Sequence, residues 1–132
     1  MSTTEDFKEM NRVFVDALNR PDWAQAIKPL VSNPEEYEEF VAFHKPFRQA
    51  FPDYHSEIQE MIAEGDRLVV WVKVDATHQA EFNDGGLKGI PATGKHASWD
   101  EISIYRTHED GTFDVIFFLV DEADRLRQLT AK

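Results

Sequence analysis

At Asp53 the chain changes period. Before it, apolar residues recur every three or four positions, and after it they recur every second position or run as short β-branched blocks. A chain of 132 residues that is helical first and stranded afterwards has room for one domain over residues 1–132. Helices followed by a meander of long strands predict an α+β fold, in which helices pack on one face of an antiparallel sheet. When such a sheet curves, three N-terminal helices close its concave side into a cone that encloses one pocket.

The helical half has clear punctuation. Ser2-Thr3-Thr4-Glu5 offers a capping box, and Phe7, Met10, Phe14, Ala17 and Leu18 follow at helical spacing until Pro21. Asp22 can cap a short helix carrying Trp23, Ile27, Leu30 and Val31. Asn33-Pro34-Glu35-Glu36 starts a third helix, with Asn as cap, Pro in the first turn and acids at the positive dipole end. Its apolar face carries Tyr37, Phe40, Val41, His44, Phe47 and Phe51, and Pro46 predicts a kink or break near residues 43–45.

Strands are predicted around Ile58–Ile62, over Leu68–Val74 and on to His78, over Ala97–Arg106, and over Phe113–Val120. Glu64-Gly65-Asp66 and His108-Glu109-Asp110-Gly111 are the turns, the second carrying an Asp-Gly signal. The stretch Ala80–Gly94 reads as a glycine-containing loop that gates a pocket mouth. In the third strand Trp99 and Tyr105 share one face, and Ile102 and Ile104 the other. In the last strand the odd residues Phe113, Val115, Phe117 and Leu119, and Asp121 after them, are assigned to the inner face.

Composition narrows function mainly by exclusion. A net charge of −11, with Lys and Arg scattered, argues against nucleic acid and against an anionic membrane surface. No run approaches a membrane span, and the polar, acidic start lacks a signal peptide's apolar core, so a cytoplasmic protein is the expectation. With no cysteine, thiolate catalysis and Cys-type metal sites are ruled out. No His/Asp/Glu pair has metal spacing on one element, so no metal site is expected. Ten Phe suit a core or a ring-lined cavity for a small apolar or aromatic ligand.

Several segments, in order, carry a resemblance. They are Phe51-Pro52-Asp53, Ile62-Ala63-Glu64-Gly65-Asp66-Arg67-Leu68-Val69-Val70, Thr77-His78, Gly89-Ile90-Pro91-Ala92-Thr93-Gly94-Lys95, Ile102-Ser103-Ile104-Tyr105-Arg106, Asp121, and Leu126-Arg127-Gln128-Leu129. Together they resemble the SnoaL-like polyketide cyclase family, within the superfamily of nuclear transport factor two and ketosteroid isomerase. The resemblance covers residues 51–129, and the N-terminal helices match in pattern. It implies a cone fold, a homodimer, and an aldol-type ring closure without metal or cofactor, with the residue matching Asp121 as general acid/base. Two segments depart from the pattern. Residues 80–88 are longer than the usual link, and the last strand has Phe117 where a tryptophan is common.

The candidate site follows. Asp121 and His78 are the candidate catalytic residues, with Phe14, Phe47, Trp71, Trp99, Tyr105 and Phe117 as candidate substrate-binding walls. Asp121 reads equally as the N-cap of a last helix, with Asp124 three residues on, and His78 as a hydrogen-bonded strand end. Two function classes stand at this point. One is a cofactor-free enzyme that abstracts a proton next to a carbonyl, in a cyclisation or isomerisation. The other is a non-catalytic binding or dimerisation module of the same fold.

Overall fold

A computed structural model describes residues 3–132. The first helix, α1 (Thr4–Leu18), opens on a capping box formed by Thr3 and Asp6, one residue later than the expected Ser2–Glu5 pair. Ser2 lies outside the described residues. Phe7, Phe14, Val15 and Leu18 form the buried stripe of α1. Beyond its end, the Asn19 amide exchanges two 2.8 Å bonds with the Ser56 backbone and so fixes where the sheet begins. A short α2 (Trp23–Ile27) runs into a single tight turn over Lys28–Leu30.

Helix α3 (Pro34–Ala50) starts as the sequence predicts, with Asn33 Oδ1 accepting from the amides of Glu35 and Glu36. It does not break at Pro46. A proline removes only its own donor from the ladder, and flanking packing can hold the rest of the turn. Here the ring of His44 stacks on Phe40 (4.9 Å between centroids) before the proline, and Phe47 packs on Phe51 at a tilt (4.8 Å) after it. Arg48 also ties the helix to the Leu18 carbonyl at 2.8 Å.

Four strands follow as an antiparallel meander in the order β1-β2-β3-β4: β1 (His55–Glu64), β2 (Arg67–Thr77), β3 (His96–Thr107) and β4 (Phe113–Val120). Helix α4 (Glu122–Thr130) closes the chain. Gly65 turns β1 into β2 with φ +59°, a backbone shape that favours glycine. The inner face carries the even residues of β2 and the odd residues of β3. Val70, Val74 and Ala76 are therefore buried opposite the Ala97, Trp99 and Tyr105 side.

The last strand departs from simple alternation. Tyr105 pairs with Val115 and Ile104 with Phe117, which leaves Ile116 as an extra residue in β4. Such a bulge shifts every later side chain to the opposite face. Phe113 and Val115 keep the inner face, but beyond the bulge Phe118 and Val120 take it, paired with Ser103 and Glu101. Phe117 and Leu119 therefore stand on the outer face, which corrects the inner assignment of the odd residues. The outer face is apolar and open: Ile62, Trp71, Ile102, Ile116, Phe117 and Leu119 are all exposed there.

Candidate functional site

Between the concave face of the sheet, α1 and α3 lies a cavity of about 480 Å³. Its walls are apolar, built from Phe14, Leu18, Phe40, Phe47, Val70, Val72, Phe113 and Phe118 among others. The loop after β2 adds Phe82 and Asp84 to the lining. This loop is docked rather than loose, since Leu87 is buried and the Gln79 amide donates to the Ala50 carbonyl at 2.8 Å.

A polar group stands inside this apolar space. Glu101 is 9% exposed, lines the cavity, and accepts a 2.8 Å bond from the indole Nε1 of Trp99. Burial raises its carboxyl above the ordinary range, against the opposing pull of the Trp99 bond and the charge of Arg125. Arg125 comes from α4, lines the same cavity and is 4% exposed. Its guanidinium lies 5.0 Å from the Trp99 ring centre and 5.6 Å from that of Phe47, and its Nη2 stands 3.6 Å from Glu122. The Nε of Arg125 is buried with no hydrogen-bond partner among the described residues. A cation with a free buried donor beside a carboxylate with a raised pKa is suited to hold a developing oxyanion while the carboxylate moves a proton.

Phenol donors complete the lining. Tyr54 and Tyr105 both face the cavity, and burial pushes both hydroxyls above the ordinary phenol value, with the charge of Glu101 adding to the effect. Both therefore stay protonated and can donate. His44 lines the cavity too, with Arg48 Nη1 3.3 Å from its Nε2. Burial, with the nearby charge of Arg48, pushes its pKa down to about 3, so it is neutral.

The residues singled out from sequence divide into two sets. Phe14, Phe47 and Tyr105 line the cavity. Trp99 is fully buried on the inner face and acts behind the wall, as the donor to Glu101. Trp71 is on the outer face, 38% exposed, with its indole bonded to Asp100, because its β2 position is odd and pairs with Ile102. Phe117 is outside because of the Ile116 bulge. Asp121 follows β4 with its amide on the Asp100 carbonyl, and its exposed side chain caps α4 by accepting from Asp124 N at 3.1 Å. The bulge removes the parity argument that pointed it inward.

His78 is fully buried but is not part of the lining. Its Nδ1 accepts from the Thr93 amide at 3.2 Å, and its ring stacks on Phe51 at 5.3 Å. Burial lowers its pKa. Its role in the structure is to fasten the loop 79–95 to the core. Sequence reading missed Glu101 and Arg125, although a signal for Glu101 was present. It shares strand parity with Trp99 and Tyr105, so a charged residue falls on the core face.

The match to known families covers nearly all of this architecture. The model of the SnoaL-like polyketide cyclase family matches residues 8–129. The chain belongs to the SnoaL-like polyketide cyclase family. Solved structures agree with that fold. AclR of Streptomyces galilaeus, described as a candidate hydroxylase, is 24% identical over 96% of this chain and 97% of its own, with a TM-score of 0.77. A SnoaL-like polyketide cyclase candidate from Jannaschia sp. CCS1 is 14% identical over 100% and 97%, with a TM-score of 0.76. IdmH of Streptomyces antibioticus, a candidate polyketide cyclase, is 18% identical over 93% and 97%, also at 0.76. No curated protein matches the chain. At these identities the neighbours share the SnoaL-like cone with this chain, and the chemistry must be read from its own cavity.

Proposed function

We propose that this SnoaL-like protein catalyses proton transfer next to a carbonyl in a small, largely apolar compound, as in an aldol-type cyclisation or an isomerisation. The observation that supports this most is a buried carboxylate, Glu101, facing the same apolar cavity as an arginine with an unpartnered donor. Glu101 takes a proton from the carbon, and the C–H electron pair moves into the C–C bond as the carbonyl π pair goes to oxygen. Arg125 and a phenol of Tyr54 or Tyr105 hold the resulting enolate oxygen. In a cyclisation the enolate carbon attacks a second carbonyl, whose oxygen recovers the proton from the Glu101 carboxylic acid. In an isomerisation the proton returns to a different carbon. Neither route draws on a cofactor.

The test uses acetylnaphthalene in D₂O and follows loss of the methyl proton signal by NMR. Wild type is expected to accelerate exchange, Glu101→Gln to lose at least ~10²-fold of that acceleration, and Asp121→Asn to keep it. Acceleration that survives Glu101→Gln would overturn the assignment. Ligands that shift the melting temperature while no ketone exchanges would favour a binding module instead.

The same reading includes a homodimer joined through the outer face of the sheet. An exposed patch of Trp71, Ile102, Ile116, Phe117 and Leu119 supports it, since monomers rarely leave so continuous an apolar surface in water.

A further inference from the structure

The charges around the cavity are unbalanced in a way the proton-transfer chemistry does not require. Among the described residues five carboxylates line it (Glu36, Glu39, Asp84, Glu101 and Glu122) against the single guanidinium of Arg125, and His44 is held neutral. Glu122 is paired with Arg125 and Glu101 lies deep, which leaves three at the rim. Glu36 and Glu39 stand on α3, and Asp84 on the loop after β2. Glu36 spends one oxygen on the Val115 amide at 3.2 Å, and burial together with the charges of Asp114 and Glu39 raises its pKa. The rim is thus a place where negative charge is crowded, and among the described residues the one cation of the lining, Arg125, is buried and paired with Glu122.

Two further features point to an occupant. In the same lining the half-exposed ring of Phe43, one helical turn after Glu39, meets Phe82, two residues before Asp84, edge to face with centroids 5.8 Å apart. At depth, Arg125 is nine-tenths buried and presents a guanidinium whose Nε has no partner. A buried donor without an acceptor calls for an oxygen from a ligand. Together these describe a ligand with two unlike ends.

We propose that the cavity selects a substrate carrying a protonated amine, which stays at the rim between Glu36, Glu39 and Asp84 while a carbonyl or other oxygen reaches Arg125. A cleft with low-dielectric walls focuses the field of its charges, so the rim attracts an ammonium and repels a carboxylate or phosphate. Phe43 and Phe82 add ring faces that an ammonium or its alkyl groups can contact. The inference rests on reading this cavity as the site of the carbonyl chemistry, and it excludes anionic substrates from that site.

The test measures binding rather than turnover, by isothermal titration. It uses three acetylnaphthalene probes that differ only in a propyl tail ending in ammonium, hydroxyl or carboxylate. At low salt the ammonium probe is expected to bind on the order of tenfold tighter than the carboxylate probe, with the hydroxyl probe between them. Adding salt should narrow the gap. In Glu36→Gln/Glu39→Gln the gap should fall to about twofold, with affinity for the hydroxyl probe unchanged, which shows that the cavity is intact. Equal binding of the ammonium and carboxylate probes to wild type would overturn the proposal, as would a gap that survives the double substitution. Failure of Glu101-dependent proton exchange would remove the catalytic reading alone, because the ammonium preference is read without turnover.

Discussion

Replacing Glu101 by Gln should stabilise this protein at neutral pH while it abolishes proton transfer. The carboxylate is buried, and its pKa is raised even though Trp99 Nε1 donates to it and Arg125 is near. A raised pKa means that the folded state prefers the protonated acid. Between the unfolded value of about 4.3 and the raised folded value, the native state binds the proton more strongly than the unfolded chain. Stability therefore falls as pH rises through that window and levels off above it. Glutamine has the shape of the protonated acid, and its amide oxygen can still accept from Trp99.

Each tenfold preference of the folded state for the protonated acid corresponds to about 1.4 kcal/mol, or a rise in Tm of roughly 5 °C in a domain of this size. Thermal unfolding from pH 4 to 8 would then show Glu101→Gln above wild type at pH 8, with the two curves converging toward pH 4. The removed charge also leaves Arg125 with Glu122 alone, which works against the gain; the net direction of the shift says that the desolvation of Glu101 is larger. A variant less stable than wild type at pH 8, or a gap that does not close in acid, would refute the argument that burial dominates this carboxylate. It would also remove the reason for reading Glu101 as a carboxyl that burial prepares to carry a proton.

Other outcomes follow from the same structure. His44 is pushed down to about 3, below its unfolded value near 6.5, so the unfolded chain takes up a proton that the folded one refuses. Stability should fall as pH drops from about 6.5 toward 3, and His44→Phe should flatten that slope by on the order of a few kcal/mol, as denaturant titrations across this range would show. Asp121→Ala should cost about 1 kcal/mol through the lost α4 cap and leave ketone exchange near wild type, as urea titration and NMR exchange would show. Ile102→Lys with Phe117→Lys should give a monomer by light scattering where wild type gives a dimer; a wild-type monomer at micromolar concentration would remove the dimer.

The order of helices and strands was legible because α1, α3 and α4 start on a side chain that caps them and both hairpin turns carry a glycine, although Asp22 does not cap α2 and bonds Arg20 instead. Such signals are local, and so is the chemistry behind them. The continuity of α3 through Pro46 was not legible, because part of the packing that holds it comes from outside the helix. Trp23 and Tyr54 both press on His44, and neither is near it in sequence. The inner face of β3 was legible from alternation alone, and it named Tyr105 and Trp99 correctly as inward residues. Glu101 lay on the same face and was passed over because a charge there breaks the apolar pattern.

That break is where the pattern carried most information about function. Along β4 the opposite happened: Val115–Val120 is apolar at every position, so no polar residue marks which side faces water. Hydrophobic alternation fixes register only where the two faces differ. The bulge at Ile116 then costs nothing that a sequence pattern would reveal, since the side chains it exchanges between faces are all apolar. It moves Phe117 out and Phe118 in, and it carries Asp121 to the solvent side, where Asp121 caps α4 and so sets where that helix begins. The turn it starts carries Arg125 back over the Trp99 ring and into the cavity. Asp121 thus bears on the site through the helix it starts, and the carboxylate that faces a ligand is the one on β3.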